Sequence, residues 1–211
     1  MRLRLWVLVA GVVVTGIVVG IFVTRFLNPT PPQIAATTTS TSLQGRPVVS
    51  FTLTTVAAVG NEGQGQGEHP NWVGYLPTTY LSVPAGAVVH MTINQQDGSS
   101  GLRNPYFSLV RGTINNQMTV NGKVMSALDP DNPGPGHTFT IPDLGVSVPL
   151  EGVADNAAAG ATNVVQFDFI VPNKKGLFRW QCFVPCAAGT LYGNGGPMQT
   201  LGYMTGEFQV G

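Results

Sequence analysis

The chain has 211 residues, 43 % of them hydrophobic, with 27 Gly and 16 Pro, a composition that suits a loop-rich β protein of one domain plus accessories. Only 9 % are Asp, Glu, Lys or Arg, against about a quarter in an average soluble protein. The formal net charge is zero, which gives no support to nucleic-acid binding, since that needs a basic patch.

The chain begins MRLR and continues LWVLVAGVVVTGIVVGIFVT over residues 5–24, without a charge. At 1.5 Å per residue such a run matches a hydrocarbon core of about 30 Å. Arg2 and Arg4 favour a cytoplasmic N-terminus, so residues 1–27 are expected to be a single-pass anchor with the rest of the chain extracytoplasmic. A cleaved signal peptide is the alternative. Its apolar region is about 7–15 residues and ends in a small-residue cleavage site, and Ile34-Ala35-Ala36 makes a poor one. Residues 28–45, NPTPPQIAATTTSTSLQG, have no charge and no hydrophobic periodicity. They are expected to be a Pro/Thr/Ser-rich stalk.

From Arg46 to Gly211 the pattern is strands and turns, with no amphipathic helix. Strand composition marks 47–58, 87–94, 117–128 (with a central Asn121-Gly122 turn signal), 137–141, 163–171, 177–183 and 204–210. Loops are expected at 60–71 and 129–136. Seven or more short strands with rich turns predict a β-sandwich.

Alternation along a strand decides which side chains face inward. Val165, Phe167, Phe169 and Val171 share one face, opposite Gln166 and Asp168. Phe178, Trp180 and Cys182 share another, opposite Arg179 and Gln181. His137 faces inward with Phe139 and Ile141, opposite Thr138 and Thr140. His90 lies opposite Val89, Met91 and Ile93 and is expected at the surface. His69 sits in a Gly-rich loop and is expected there too, with no partner.

The chain thus offers one inward His, its two cysteines and two late methionines, Met198 and Met204. Two cysteines outside the cytosol form a disulfide by default. Imidazole, thiolate and thioether together instead select copper among the common metals. Both readings stay open on the residues alone. Other chemistries find no local signature. There is no phosphate-binding Gly loop opening a helix, no G-x-S-x-G elbow, no HExxH, no Cys-x2-Cys pair and no haem-attaching C-x-x-C-H.

GHTFTIPDLGVSV (136–148) resembles the copper-binding His segment of cytochrome c oxidase subunit II, and FRWQCFVPCAAG (178–189) resembles the same subunit's two-cysteine segment. MTGEFQV (204–210) is similar to the Met-containing strand that closes many cupredoxins. The resemblance covers roughly residues 85–210. It implies an all-β, cupredoxin-like Greek-key sandwich or barrel over 46–211, binding one or two copper ions. It also implies His137, Cys182, Cys186 and Met204 as ligands and the Val184 backbone carbonyl as a weaker one. The function it implies is passing electrons in a respiratory chain, from a redox protein donor to a membrane oxidase complex.

The family has a second His four residues after the second Cys and a Met three beyond; here those positions are Thr190 and Gly193. Met198 is the candidate for the vacant place. A metal-free interaction protein with a Cys182–Cys186 disulfide and a Cu(I) chaperone are the alternatives. Outside the anchor, seven basic residues face ten acidic ones, a net charge of −3 that gives weak steering toward a basic donor.

Overall fold

The computed structural model describes residues 2–22, 34–35, 37–62, 69–187 and 190–211. Two compact units divide the chain, residues 1–31 and 32–211. In the first, Arg2–Phe22 form helix α1. Among the described side chains, no helical stretch is long and apolar enough to cross a membrane. Residues 23–24, the end of the apolar run, lie outside the described residues.

The second unit is all-β, as its composition predicts. Its strands are β1 (Ile34–Ala35), β2 (Thr37–Leu43), β3 (Arg46–Val56), β4 (Gly74–Leu76), β5 (Tyr80–Val83), β6 (Val88–Gln95), β7 (Met118–Val120), β8 (Lys123–Met125), β9 (Pro135–Ile141), β10 (Val146–Glu151), β11 (Asn163–Ile170), β12 (Gly176–Gln181) and β13 (Thr205–Val210). They form two sheets, β1-β5-β13-β12-β9-β10 and β2-β3-β6-β11-β7-β8, with β4 added to β3. β3 runs parallel to β6 and β5 parallel to β13, while β11 is antiparallel to β6 and β12 antiparallel to β13.

The inward faces meet as alternation predicts. Phe51, Met91, Phe167 and Phe169 of one sheet are buried against Phe139, Trp180 and Phe208 of the other. Aromatic pairs cross between the sheets. Phe139 lies 5.8 Å from Phe167 and 6.4 Å from Phe169, and Phe169 lies 5.8 Å from Phe208, ring centroid to centroid. Tilted pairs at such distances are favourable beyond their area burial. The β7–β8 hairpin turns at Asn121 and Gly122, with φ of 50° and 81°. A two-residue turn with both φ positive is the one whose twist matches the flanking strands.

Four features differ from the sequence expectations. First, Thr37–Leu43, inside the segment read as a stalk, pairs antiparallel with β3. β-Branched threonines suit a pleated strand once a partner edge exists, and no local pattern reveals that edge. Residues 28–33 and 36 of the stalk lie outside the described residues.

Second, Thr138 and Thr140, on the face opposite His137 and Phe139, are buried. All seven residues of β9 are buried, because the turn at Pro105–Ser108 packs over β9 and β10. Their hydroxyls are satisfied locally: Thr140 Oγ1 bonds Thr138 Oγ1 at 3.2 Å, and Phe183 N–H donates to Thr138 Oγ1 at 2.9 Å.

Third, β10 is a full strand on the sheet edge, where Pro149 costs no ladder bond. Fourth, His69 has partners. Its ring stacks on Trp72 at 3.8 Å, and its backbone N–H donates to Tyr203 Oη at 3.0 Å. His90 is half-exposed as expected, with Nδ1 2.7 Å from Asp168 Oδ1 across the β6–β11 pair.

Candidate metal centre

The site forms where β9, β12 and β13 meet. β9 carries His137 as its third residue. β12 ends at Gln181, and Cys182 prolongs its pairing with β13 by donating its N–H to the Met204 carbonyl at 2.9 Å. The chain then turns sharply, with Cys186 N–H donating to the Val184 carbonyl at 2.7 Å. That three-residue turn is centred on Pro185, whose ring fixes φ near the value it needs. The turn brings Cys186 Sγ to 3.4 Å from Cys182 Sγ as a separate thiol.

A ring nitrogen of His137 and both cysteine sulfurs lie within 4.8 Å of one another. His137 and Cys182 are 0 % exposed and Cys186 is partly buried. His137 Nε2 lies 3.1 Å from Asp97 Oδ2. Asp97 is fixed in turn by Gly98 N–H on Oδ1 at 2.8 Å and by the Gln95 amide on its carbonyl at 3.0 Å. Gln95 is itself bonded to Thr55 Oγ1. His137 Nδ1, by contrast, is buried with no hydrogen-bond partner. Cys182 Sγ accepts the Thr138 N–H at 3.4 Å and lies 3.6 Å from the Val184 carbonyl oxygen. Tyr75 Oη donates to the Thr138 carbonyl at 3.0 Å, and its ring stands edge-on to Trp180.

The electrostatics follow from that packing. Burial lowers the His137 pKa, but the Asp97 carboxylate and the Cys182 sulfur outweigh it and raise it to about 9. Burial alone raises the Cys182 thiol; the Cys186 hydrogen bond, the imidazole and the Thr138 N–H together bring it well below the ordinary range. The Cys186 thiol is pushed up, first by its bond to Cys182 and then by burial. The two sulfurs therefore titrate as a pair, the first proton leaving readily and the second resisting. Burial raises the Asp97 carboxyl, and the bonds to His137 and Gly98 outweigh that and hold it low.

Of the residues singled out in the sequence, His137, Cys182 and Cys186 come together. Val184 presents its carbonyl to both sulfur-bearing residues. Met204 is fully buried and bonded through its backbone to Cys182. Met198 is buried in the same core, and Pro197 beside it accepts the Met204 N–H at 3.0 Å. Gly193 serves close packing: its φ is 75°, and an added Cβ would meet the Pro185 carbonyl oxygen at 2.7 Å. Thr190 turns its hydroxyl onto the Ala187 carbonyl at 2.6 Å. Residues 188–189 lie outside the described residues. Asp97 and Tyr75 were not anticipated. Both reach the site across 40 or more residues of sequence, and each sits in or beside a short loop with no motif.

The donor set fits copper. Two sulfurs, one of them accepting a backbone N–H, and a buried imidazole nitrogen lacking any hydrogen-bond partner make a soft, largely buried cluster.

No known protein family and no curated protein matches the chain. Solved structures show distant likeness. The metal-binding domain of the Streptococcus pneumoniae D39 Cu(I) exporting P-type ATPase CopA is 12 % identical with a TM-score of 0.35, covering 86 % of this chain and 97 % of that one. Reduced rusticyanin is 16 % identical with a TM-score of 0.30, covering 78 % and 84 %. Rusticyanin from Thiobacillus ferrooxidans is 15 % identical with a TM-score of 0.30, covering 78 % and 82 %. Similarity this low decides nothing about the present chain, and the functional reading rests on the site's own geometry.

Proposed function

We propose that this chain is a membrane-anchored, extracytoplasmic copper protein of cupredoxin type that passes electrons between a redox protein donor and a membrane oxidase complex. The observation that carries the copper reading is His137 Nδ1, buried and unpartnered in a cluster with two cysteine sulfurs. His137, Cys182, Cys186 and the Met204 thioether would hold the metal, with the Val184 carbonyl as a weak donor and Met198 for the place that Thr190 leaves empty. Copper, when bound, supplies a one-electron couple. The uncharged run from Leu5 to Thr24, preceded by Arg2 and Arg4, supports the anchor.

The chain's own residues prepare the site. Asp97 holds a proton on Nε2, so once the imidazolium gives up its other proton the Nδ1 lone pair is the one free to donate; such outer partners fix the tautomer and orientation of a ligating imidazole. The Thr138 N–H stabilises charge on the Cys182 sulfur. Burial excludes water, and placement at the ends of hydrogen-bonded strands limits rearrangement when the charge changes.

Copper titration of the full chain tests the reading. The expected result is visible absorption from sulfur-to-copper charge transfer, with a reversible redox wave. Tight Cu(I) binding without such a wave would make the chain a chaperone. A gain of about 2 Da in intact mass on reduction, with no copper bound, would make it a disulfide-linked interaction protein.

Asp97 gives a second test. Asp97→Ala should weaken copper binding about 10–100-fold, and Asp97→Asn, which keeps an acceptor oxygen, should recover part of that. In the metal-free protein above about pH 9, where the imidazole has lost its second proton, ¹⁵N NMR of the His137 ring should show the Nε2–H tautomer, and Asp97→Ala should erode that preference. An unchanged tautomer would assign Asp97 a purely structural role.

A further inference from the structure

The segment 96–117 between β6 and β7 and the segment 191–203 between β12 and β13 meet beside the cysteine turn. The Arg103 guanidinium lies over the Tyr192 ring, 5.3 Å from its centroid. Arg111 lies over Tyr106 at 4.6 Å. Phe107 stacks on Phe183 at 5.3 Å with the planes 6° apart, and Tyr106 meets Phe107 edge-on at 5.3 Å. Phe183 directly follows Cys182, and Gly193, next to Tyr192, packs on Pro185 and accepts the Ala187 N–H at 3.0 Å. Tyr106 is 45 % exposed and Tyr192 66 % exposed. Among the described residues, neither guanidinium has a carboxylate within salt-bridge distance.

We propose that Arg103, Tyr106, Phe107, Arg111, Phe183 and Tyr192 form a docking face for a protein partner that presents carboxylates around an apolar centre. Tyrosine and arginine dominate the energetics of protein interfaces. Here each guanidinium already lies on an aromatic face, so less side-chain entropy remains to be lost on docking. Each guanidinium also has no carboxylate partner among the described residues, and its fork of N–H donors matches a partner's carboxylate. The sign of charge matters: the domain's net −3 predicts a basic donor, yet this face is locally positive, and it borders the sulfur cluster. Docking stands without metal; only electron exchange across the face rests on the copper reading.

The test uses the full chain, metal-free and in nonionic detergent at low salt. It is titrated with a synthetic Glu-rich peptide carrying a central Phe and, separately, with its Lys-for-Glu counterpart, with ¹⁵N–¹H NMR as readout. The Glu peptide should shift amides at 103–111, 183 and 190–193, and binding should weaken as salt rises. Arg103→Glu with Arg111→Glu should weaken it about tenfold, Arg103→Gln with Arg111→Gln by less, and Lys174→Glu with Lys175→Glu not at all. Shifts centred on the Lys174–Lys175 turn, an unchanged affinity in both arginine variants, no binding at all, or tighter binding of the Lys peptide would each overturn the proposal. The arginine variants should keep the copper absorption of the parent chain, so loss of docking and loss of copper are read apart.

Discussion

Cys182→Ser should abolish copper binding at this site and with it the visible sulfur-to-copper absorption, while the chain stays folded. A serine hydroxyl is a hard donor that does not deprotonate near neutral pH, so both the softness and the charge of the ligand are lost. The Cys182 thiol stands in the opposite position. It is held well below its ordinary range despite complete burial, because Cys186, His137 and the Thr138 N–H all favour its charged form. Serine has nearly the shape of cysteine, and its oxygen can still accept the Thr138 N–H, so the variant isolates the chemistry of sulfur from packing. Cys186→Ser should act less completely. It removes a thiol that is only partly buried and that gives up its proton last. His137, Cys182 and Met204 would remain, a smaller soft set, and the expected outcome is a single weakly bound copper with an altered spectrum. Persistence of the parent colour in Cys182→Ser would remove Cys182 from the ligand set and the electron-transfer reading with it.

The parts of this architecture that depend on alternation were legible in the sequence. The inward faces at Val165–Val171, at Trp180 and Cys182, and at His137 and Phe139 follow from period-two patterning, and each is buried. Asn121-Gly122 announced its hairpin through backbone chemistry alone. What escaped depends on contacts distant in sequence. The burial of Thr138 and Thr140 was not legible, because nothing near them reveals that Pro105–Ser108 will lie across β9. Thr37–Leu43 reads as a flexible spacer until β3 offers it an edge.

The site divides in the same way. His137, Cys182 and Cys186 were visible as rare, chemically distinctive residues. Asp97 was not, because an aspartate in a Gln-Gln-Asp-Gly loop looks like a turn residue, and only the fold carries it across 40 positions to the imidazole. Tyr75 was hidden in a three-residue strand too short to show a period. Gly193 and Thr190, which read as gaps in the family's ligand pattern, have jobs of their own in closing the loop that carries Cys186.

Trp180→Ala should destabilise the domain by about 3–5 kcal/mol, a large share of the roughly 5–15 kcal/mol that holds a typical domain folded. Trp180 is 0 % exposed and lies 4.9 Å from Tyr75 and 4.8 Å from Phe139, centroid to centroid. Its indole N–H donates to the Thr79 carbonyl at 2.9 Å. Truncation empties the volume between these rings, and the neighbourhood has little freedom to close over it. Gly206, paired opposite Trp180, already lies so close to Thr79 that an added Cβ would collide with that carbonyl oxygen. The lost hydrogen bond is the lesser part of the cost, since the Thr79 carbonyl keeps a second donor in the Glu207 N–H at 3.0 Å. Trp180→Phe separates the two contributions. It restores most of the ring and lacks only the donor, so it should cost about 1–2 kcal/mol, nearer the worth of one hydrogen bond plus a small void. In a domain of this size each kcal/mol lowers Tm by about 2–4 °C, so thermal melts of the three proteins should fall in the order parent, Phe, Ala. The consequence reaches the metal centre, because Tyr75 rests on Trp180 and bonds the Thr138 carbonyl, and Thr138 supplies the N–H to Cys182. Trp180→Ala should therefore also weaken copper binding measured well below its melting temperature, whereas Trp180→Phe should leave it near the parent value. Equal melting temperatures for the Ala variant and the parent would mean that the strand ends, not the aromatic stack, hold the site.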